Sequence, residues 1–257
     1  MQIINNKNDY IKNLIKLQNK KHRDICGVFV VEGKIAIVEA LASGLILQSV
    51  LTNESFYKSN TGFLQKLIDI GIPCRVVVDS IFEQVSDVIT TQGVLAVVQK
   101  PVWSTVDDVK NLSNTNTNCL YLDRIRDPGN MGTILRTAVA TGFGLVFVDN
   151  CVDVFSQKVI RSAASALYFL DIIFCNNIDV LKPYYKTIAT TPKGQDIYKM
   201  QLDKGHNKCL IIGNEANGIR QDILFKSDIV VCLPMHNIES LNASVAAGVL
   251  MYHLAFS

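Results

Sequence analysis

Apolar and polar positions follow two rhythms along this chain. Between residues 8 and 22, Ile11, Leu14, Ile15 and Leu17 recur at helical spacing, which predicts one amphipathic helix. Short apolar runs bounded by polar turns then read as strands at Val28–Val31, Leu45–Leu51, Cys74–Val78 and Val94–Val98. Helices are expected between them at Lys34–Ala42, Phe63–Ile70 and Ile81–Val85. The rhythm stops from Gln99 to Asn118, where Pro101 precedes a tract of Asn, Ser and Thr that buries little apolar area. It resumes with strands expected at Cys119–Leu122, Leu145–Val148, Ile172–Phe174, Thr187–Thr190, Cys209–Ile212 and Ile229–Cys232. A last helix over about Leu241–Leu254 is apolar nearly all round, so it reads as buried or as an interface. The pattern predicts an α/β unit over residues 1–100, a linker at 101–118 and a second α/β unit over 119–257. Short apolar strands alternating with helices imply a buried parallel sheet in the second.

Composition changes this picture little. The 257 residues are 49% hydrophobic, which fits a globular chain, and no apolar run is long enough for a membrane helix. The N-terminus lacks the apolar segment of a secretory signal, so the cytoplasm is the expected compartment. Seven widely spread cysteines, with no Cys-x-x-Cys pair, fit a reducing compartment better than a disulfide scaffold. The four histidines share no metal-ligand spacing with them, and no metal is expected. The net charge is only +2, but residues 1–23 carry Lys7, Lys12, Lys16, Lys20, Lys21 and Arg23 against Asp9 alone. Such a basic arm is a candidate phosphate contact, and equally a solvated helix face.

Three loops that follow strands concentrate the chemistry. In the first, Asp127, Pro128, Gly129 and Asn130 predict a turn, after which a helix is expected to start at Thr133 with Arg136 in its first turn. A helix N-terminus beside a guanidinium is a seat for an anion such as phosphate. The second loop runs through Gly213, Asn214, Glu215 and Gly218, where Gly213 permits a tight backbone approach. The third passes from Pro234 and Met235 to Ser240, Leu241 and Asn242, and either Ser240 or Asn242 is placed to cap the last helix. A dinucleotide site would need Gly-x-Gly-x-x-Gly after the strand, and the spacing of Gly129 and Gly132 does not supply it. No phosphate-binding lysine loop occurs either, which disfavours a nucleotide-dependent metabolic enzyme.

Taken together, Asn130, Gly132 and Arg136, then Gly213, Asn214, Glu215 and Gly218, then Pro234, Met235, Ser240, Leu241 and Asn242 resemble the three motifs of the SpoU (TrmH-type) RNA 2'-O-ribose methyltransferases of the SPOUT superfamily. Their order and spacing agree over residues 119–257. The N-terminal part, with Phe29, Val30, Val31, Glu32 and Gly33 after a basic helix, resembles the RNA substrate-binding domain often fused to them. The resemblance implies a small ribosomal-protein-like α/β RNA-binding domain followed by a parallel-sheet domain with a deep trefoil knot. It implies a homodimer formed through the C-terminal domain, S-adenosylmethionine as cofactor, and RNA as partner, ribosomal favoured over transfer RNA.

By the same resemblance, Asn130, Arg136, Glu215, Ser240 and Asn242 match the polar active-site positions, while Thr190, Gly213, Leu233 and Leu241 match cofactor contacts. Lys12, Lys16, Lys20, Lys21 and Arg23 are the candidate RNA contacts. A guanidinium is a poor base, so Arg136 is expected to bind the neighbouring phosphate and stabilise a developing alkoxide. Asn130, Ser240 and Asn242 would orient the ribose, and Glu215 would orient Arg136 or accept a proton through water. Three positions depart from the family: Ala216 stands where Gly is frequent, the loop His236–Glu239 is short, and Arg161–Ser165 lacks the usual Gly. The alternative is a catalytically idle RNA-binding or ribosome-assembly protein of the same fold, against which the intact polar positions speak.

Overall fold

The computed structural model describes residues 2–3, 8–88, 90–115, 117–201 and 207–256. It divides into two compact units, residues 1–101 with Phe155–Ile160, and residues 102–154 with 161–257.

The first unit contains β1 (Gln2–Ile3), α1 (Asp9–Lys16), α2 (Lys20–Cys26), β2 (Val28–Glu32), α3 (Lys34–Ala42) and β3 (Leu47–Asn53). It continues with α4 (Glu54–Ser59), α5 (Thr61–Asp69), β4 (Cys74–Val77), α6 (Asp79–Val85) and β5 (Val94–Gln99). Its mixed sheet has the order β1-β4-β3-β5-β2, with β5 antiparallel to both neighbours. The single helix expected over 8–22 is two. Asn19 caps α2 by accepting the N–H of Lys21 at 2.8 Å, and such a side-chain bond competes with helix continuation. Arg23, only 4% exposed, donates Nη1 to the carbonyls of Leu17 (2.7 Å) and Gln18 (2.8 Å), binding the turn between the helices. Ile11, Leu14 and Leu17 still enter the core with Val28, Leu51, Phe82 and Leu95, while Ile15 turns outward. The sequence pattern missed α4, which Asn53 caps through the N–H of Phe56.

The second unit contains α7 (Val109–Ser113), β6 (Cys119–Asp123), α8 (Pro128–Ala140), β7 (Leu145–Asp149), the end of α9 (Gln157–Ala163) and β8 (Asp171–Phe174). Then follow β9 (Lys186–Asp196), β10 (Lys208–Ile212), α10 (Gln221–Lys226), β11 (Ile229–Cys232) and α11 (Ala243–Phe256). The six strands are parallel throughout, in the order β11-β9-β10-β6-β7-β8. The expected linker at 101–118 belongs largely to this unit. Val109 is buried in its core with Tyr121, Phe147 and Ile211, and Val106 and Leu112 pack beside it. Three apolar residues at helical spacing outweigh the polar tract around them.

Between Ala189 and Gln195, β9 leaves its ladder. Val230 pairs with Ala189 and Val231 with Gln195, so residues 190–194 have no partner on β11. A side chain at Gly194 would collide with the backbone of Val231, at 2.3 Å from its carbonyl carbon, so only glycine lets the strand rejoin there. Elsewhere the chain tolerates strain. Ala164, in the segment noted for lacking glycine, sits at φ +50°, in the left-handed region. Ala164→Gly should therefore raise stability by about 1 kcal/mol. An unchanged or lower urea midpoint would mean that no strain is stored there.

Candidate active site

The site is built at the carboxyl ends of β6, β7 and β10, where open parallel sheets hold ligands. Both β6 and β7 end in an acid, and Asp123 and Asp149 are neighbours across the ladder, 0% and 3% exposed. Arg220 bridges them, with Nε 3.0 Å from Asp123 Oδ1 and Nη2 donating to Asp149 Oδ2. Arg124 donates Nε to Asp123 Oδ1 at 3.1 Å and Nη2 to the carbonyl of Gly218. The Tyr121 hydroxyl donates to Asp149 Oδ2 at 2.8 Å, and burial together with that carboxylate pushes its pKa up.

The first loop corrects the sequence reading. Asp-Pro-Gly-Asn is the opening turn of α8 itself: Asp127 caps it by accepting the N–H of Asn130, and Pro128 stands in the first turn. Arg136 therefore lies two turns in, away from the helix N-terminus. The anion seated at that terminus is the protein's own. Glu215 accepts the N–H groups of Asp127 (3.1 Å) and Arg126 (3.3 Å) and Nδ2 of Asn130 (3.1 Å). Partial burial pushes the Glu215 carboxyl up, but these bonds prevail and hold it below its ordinary value. No bond joins it to Arg136 among the described residues.

Asn130, 9% exposed, uses both ends of its amide. Its Nδ2 donates to Glu215, and its Oδ1 accepts from Nδ2 of Asn242 at 2.9 Å. Asn242 in turn accepts the N–H groups of Ser244 and Val245 at the start of α11, so Asn242 is the helix cap and Ser240 is not. The three motif loops are thus one bonded unit.

Beside it lies an open cleft. Thr190, Thr191 and Pro192 of the strand excursion form one wall, and Val231, Leu233, Met235, Ser240, Leu241 and Leu250 are among the residues of the others. Thr190, Leu233 and Leu241, three of the four expected cofactor contacts, are among these lining residues. Gly213 does not line the cleft; a side chain there would meet the N of Ile219 at 2.3 Å, so its lack of one closes the turn at Gly218. Arg136 is exposed and makes no hydrogen bond or ion pair among the described residues. Lys12, Lys16, Lys20 and Lys21 are exposed as expected, whereas Arg23 is buried in the turn described above and is not available to RNA. Sequence reasoning missed Asp123, Arg124 and Arg220. The available signal was an acid closing each of two otherwise apolar strands.

Residues 117–252 match the SpoU rRNA Methylase family, and residues 8–96 match the MRM3-like substrate binding domain. The 23S rRNA (guanosine(2553)-2'-O)-methyltransferase RlmP of Bacillus subtilis (strain 168) is 30% identical over 259 residues, covering 98% of each chain. The crystal structure of an RNA 2'-O ribose methyltransferase is 27% identical, with a TM-score of 0.79 over 98% of this chain and 97% of that one. An AdoMet-bound rRNA methyltransferase from Sinorhizobium meliloti shares the fold, with a TM-score of 0.83 at 22% identity over 98% of this chain and 96% of that one. This chain belongs to the SpoU rRNA Methylase family.

Because Glu215 is held below its ordinary value of 4.5, the stability its bonds confer is complete above that pH and is lost as pH falls through the lower folded value. Urea unfolding followed from about pH 6 to about pH 3 should show the wild type losing more stability than Glu215→Gln. Parallel curves would remove the carboxylate from this role.

Proposed function

We propose that the chain transfers a methyl group from S-adenosylmethionine to a ribose 2'-hydroxyl of structured RNA, with ribosomal RNA as the substrate class. The observation that carries this reading is the pair of bonds from Asn130 to Glu215 and Asn242, which joins three motif loops at the edge of the cleft. The cleft suits an adenosyl group. Val231, Leu233, Leu241 and Leu250 offer an apolar wall, Thr190, Thr191 and Ser240 offer hydroxyls, and residues 190–194 carry backbone groups outside the β9–β11 ladder. When bound, a sulfonium supplies a methyl group already activated as an electrophile, so the protein's part is mostly positioning.

Arg136, exposed on α8, is the group for the phosphate next to the reacting ribose and for the charge developing on its oxygen. Ser240 at the cleft, with the remaining N–H of the Asn130 and Asn242 amides, orients the ribose. Glu215 acts as an acceptor that holds the loops, since its lowered pKa keeps it ionised and its bonds are taken up by α8.

The strand order, with β10 between β6 and β9 and β11 outside β9, supports a knotted path at the carboxyl end of this unit. A homodimer is supported by α11, where Val245, Val249, Tyr252 and Phe256 are all exposed at helical spacing, an apolar stripe fit for a second copy. No helix among the described residues is long and apolar enough to cross a membrane, and the family's work on RNA fits the cytoplasm.

Arg136→Ala should abolish methyl transfer while S-adenosylmethionine binding by calorimetry stays near wild type; wild-type turnover would sink the assignment. For the RNA-binding surface, deleting residues 1–23 is unsuitable because Ile11, Leu14 and Leu17 are core. Lys16→Gln with Lys21→Gln should instead lower the salt slope of RNA binding by about 1 for each phosphate no longer neutralised. An unchanged slope would place the RNA elsewhere.

A further inference from the structure

Asp123 and Asp149 pose a physical problem that their neighbours solve. Two carboxylates side by side in a buried ladder repel one another, and each is costly to bury alone. Arg220 answers with its side chain on both acids and with its main chain as well, its N–H donating to Asp123 Oδ2 at 2.8 Å. It stands two residues after Gly218, at the exit of the turn that carries Glu215. The entry of that turn is tied separately, by Nδ2 of Asn214 donating to the carbonyl of Arg124 at 2.9 Å, and Asn214 and Gly218 bond each other across it. Glu215 hangs between these two anchors.

The carboxylate also sets the sense of the amide bonded to it. An ionised carboxylate only accepts, so the amide of Asn130 must turn its NH₂ toward Glu215 and its oxygen toward Asn242. At the other end the first N–H groups of α11 claim the oxygen of Asn242, so its NH₂ faces Asn130 and the two settings agree. A displaced Glu215 would leave the NH₂ of Asn130 without its acceptor and the amide held at one end only, by Asn242.

We infer that Arg220 is a positioning residue for methyl transfer: by bridging Asp123 and Asp149 it fixes the turn exit, and through Glu215 it holds the amide of Asn130 in place against Asn242. The inference rests on assigning this site to methyl transfer. Residues lining the cleft stand outside this chain of bonds, so cofactor affinity should be spared. Lysine keeps the charge but lacks the planar fork that reaches two acids, so Arg220→Lys should retain the fold and lose part of the alignment.

The test uses the full chain as wild type, Arg220→Lys and Arg220→Gln, with kcat and KM on RNA, S-adenosylmethionine affinity by calorimetry, and side-chain amide resonances of ¹⁵N-asparagine-labelled protein without ligands. Arg220→Gln should lower kcat on the order of 10²-fold with cofactor Kd within about threefold, and Arg220→Lys should lower kcat less. The Asn130 amide resonances should move in both variants. Should Arg220→Gln fail to fold, Arg220→Lys carries the test alone. Wild-type kcat in a folded variant, unmoved Asn130 resonances, or cofactor affinity falling in step with kcat would each overturn the inference. A wild-type protein that methylates no RNA, while the Asn130 resonances still answer to Arg220, would overturn the assigned reaction and leave the coupling standing.

Discussion

Two buried carboxylates bridged by one guanidinium govern the business end of the second unit. Asp123 and Asp149 adjoin in the ladder, and leaving either without its partner would cost about 3–5 kcal/mol. Such a penalty leaves Arg220 and Arg124 little freedom, and both carry loops with them. Arg220 brings the end of the turn after β10, and Arg124, at φ +57°, brings the chain that enters α8. With both loops fixed, Glu215 falls onto the N-terminus of α8, where the helix dipole and two unbonded N–H groups receive it. The bonds from Glu215 to Asn130 to Asn242 then reach the cap of α11. A single electrostatic demand thus orders residues more than a hundred positions apart.

The cleft arises from a different constraint. A continuous β9 would pair all along β11 and leave no space. The excursion at residues 190–194 opens the ladder, and Gly194 permits the return because no side chain separates it from Val231. The wall so formed has hydroxyls from Thr190 and Thr191 and an apolar face from Val231 and Leu233. Polar groups in the bonded loops and apolar groups in the cleft are thereby kept adjacent but separate, as a reaction between a sulfonium and a hydroxyl requires.

Particular elements show how far the pattern of residues could be read. The strands from Cys119 to Cys232 other than β9 were legible because each is a short apolar run, β9 was legible only at its start because its continuation to Asp196 is polar, and α3 was legible to the residue. The break between α1 and α2 was not, because a capping Asn19 and a clamping Arg23 act against an unbroken apolar stripe. Pro128 looked like a turn residue and proved to be a helix starter, since the same fixed φ serves both. Segment 101–118 looked like a linker because its polar residues outnumber Val106, Val109 and Leu112, the three that pack.

The sequence by itself determined which residue types stand in the three loops, and in what order, because turn, cap and glycine requirements are written within a few neighbours. It likewise determined the alternation of strand and helix, since burial periodicity is local. Tertiary structure alone decided that β10 lies between β6 and β9, that Arg23 is internal while four lysines near it face solvent, and that the anion on α8 is Glu215 rather than a ligand. Those outcomes turn on where distant charges find partners once water is excluded, and that is a property of the assembled sheet rather than of any segment in it.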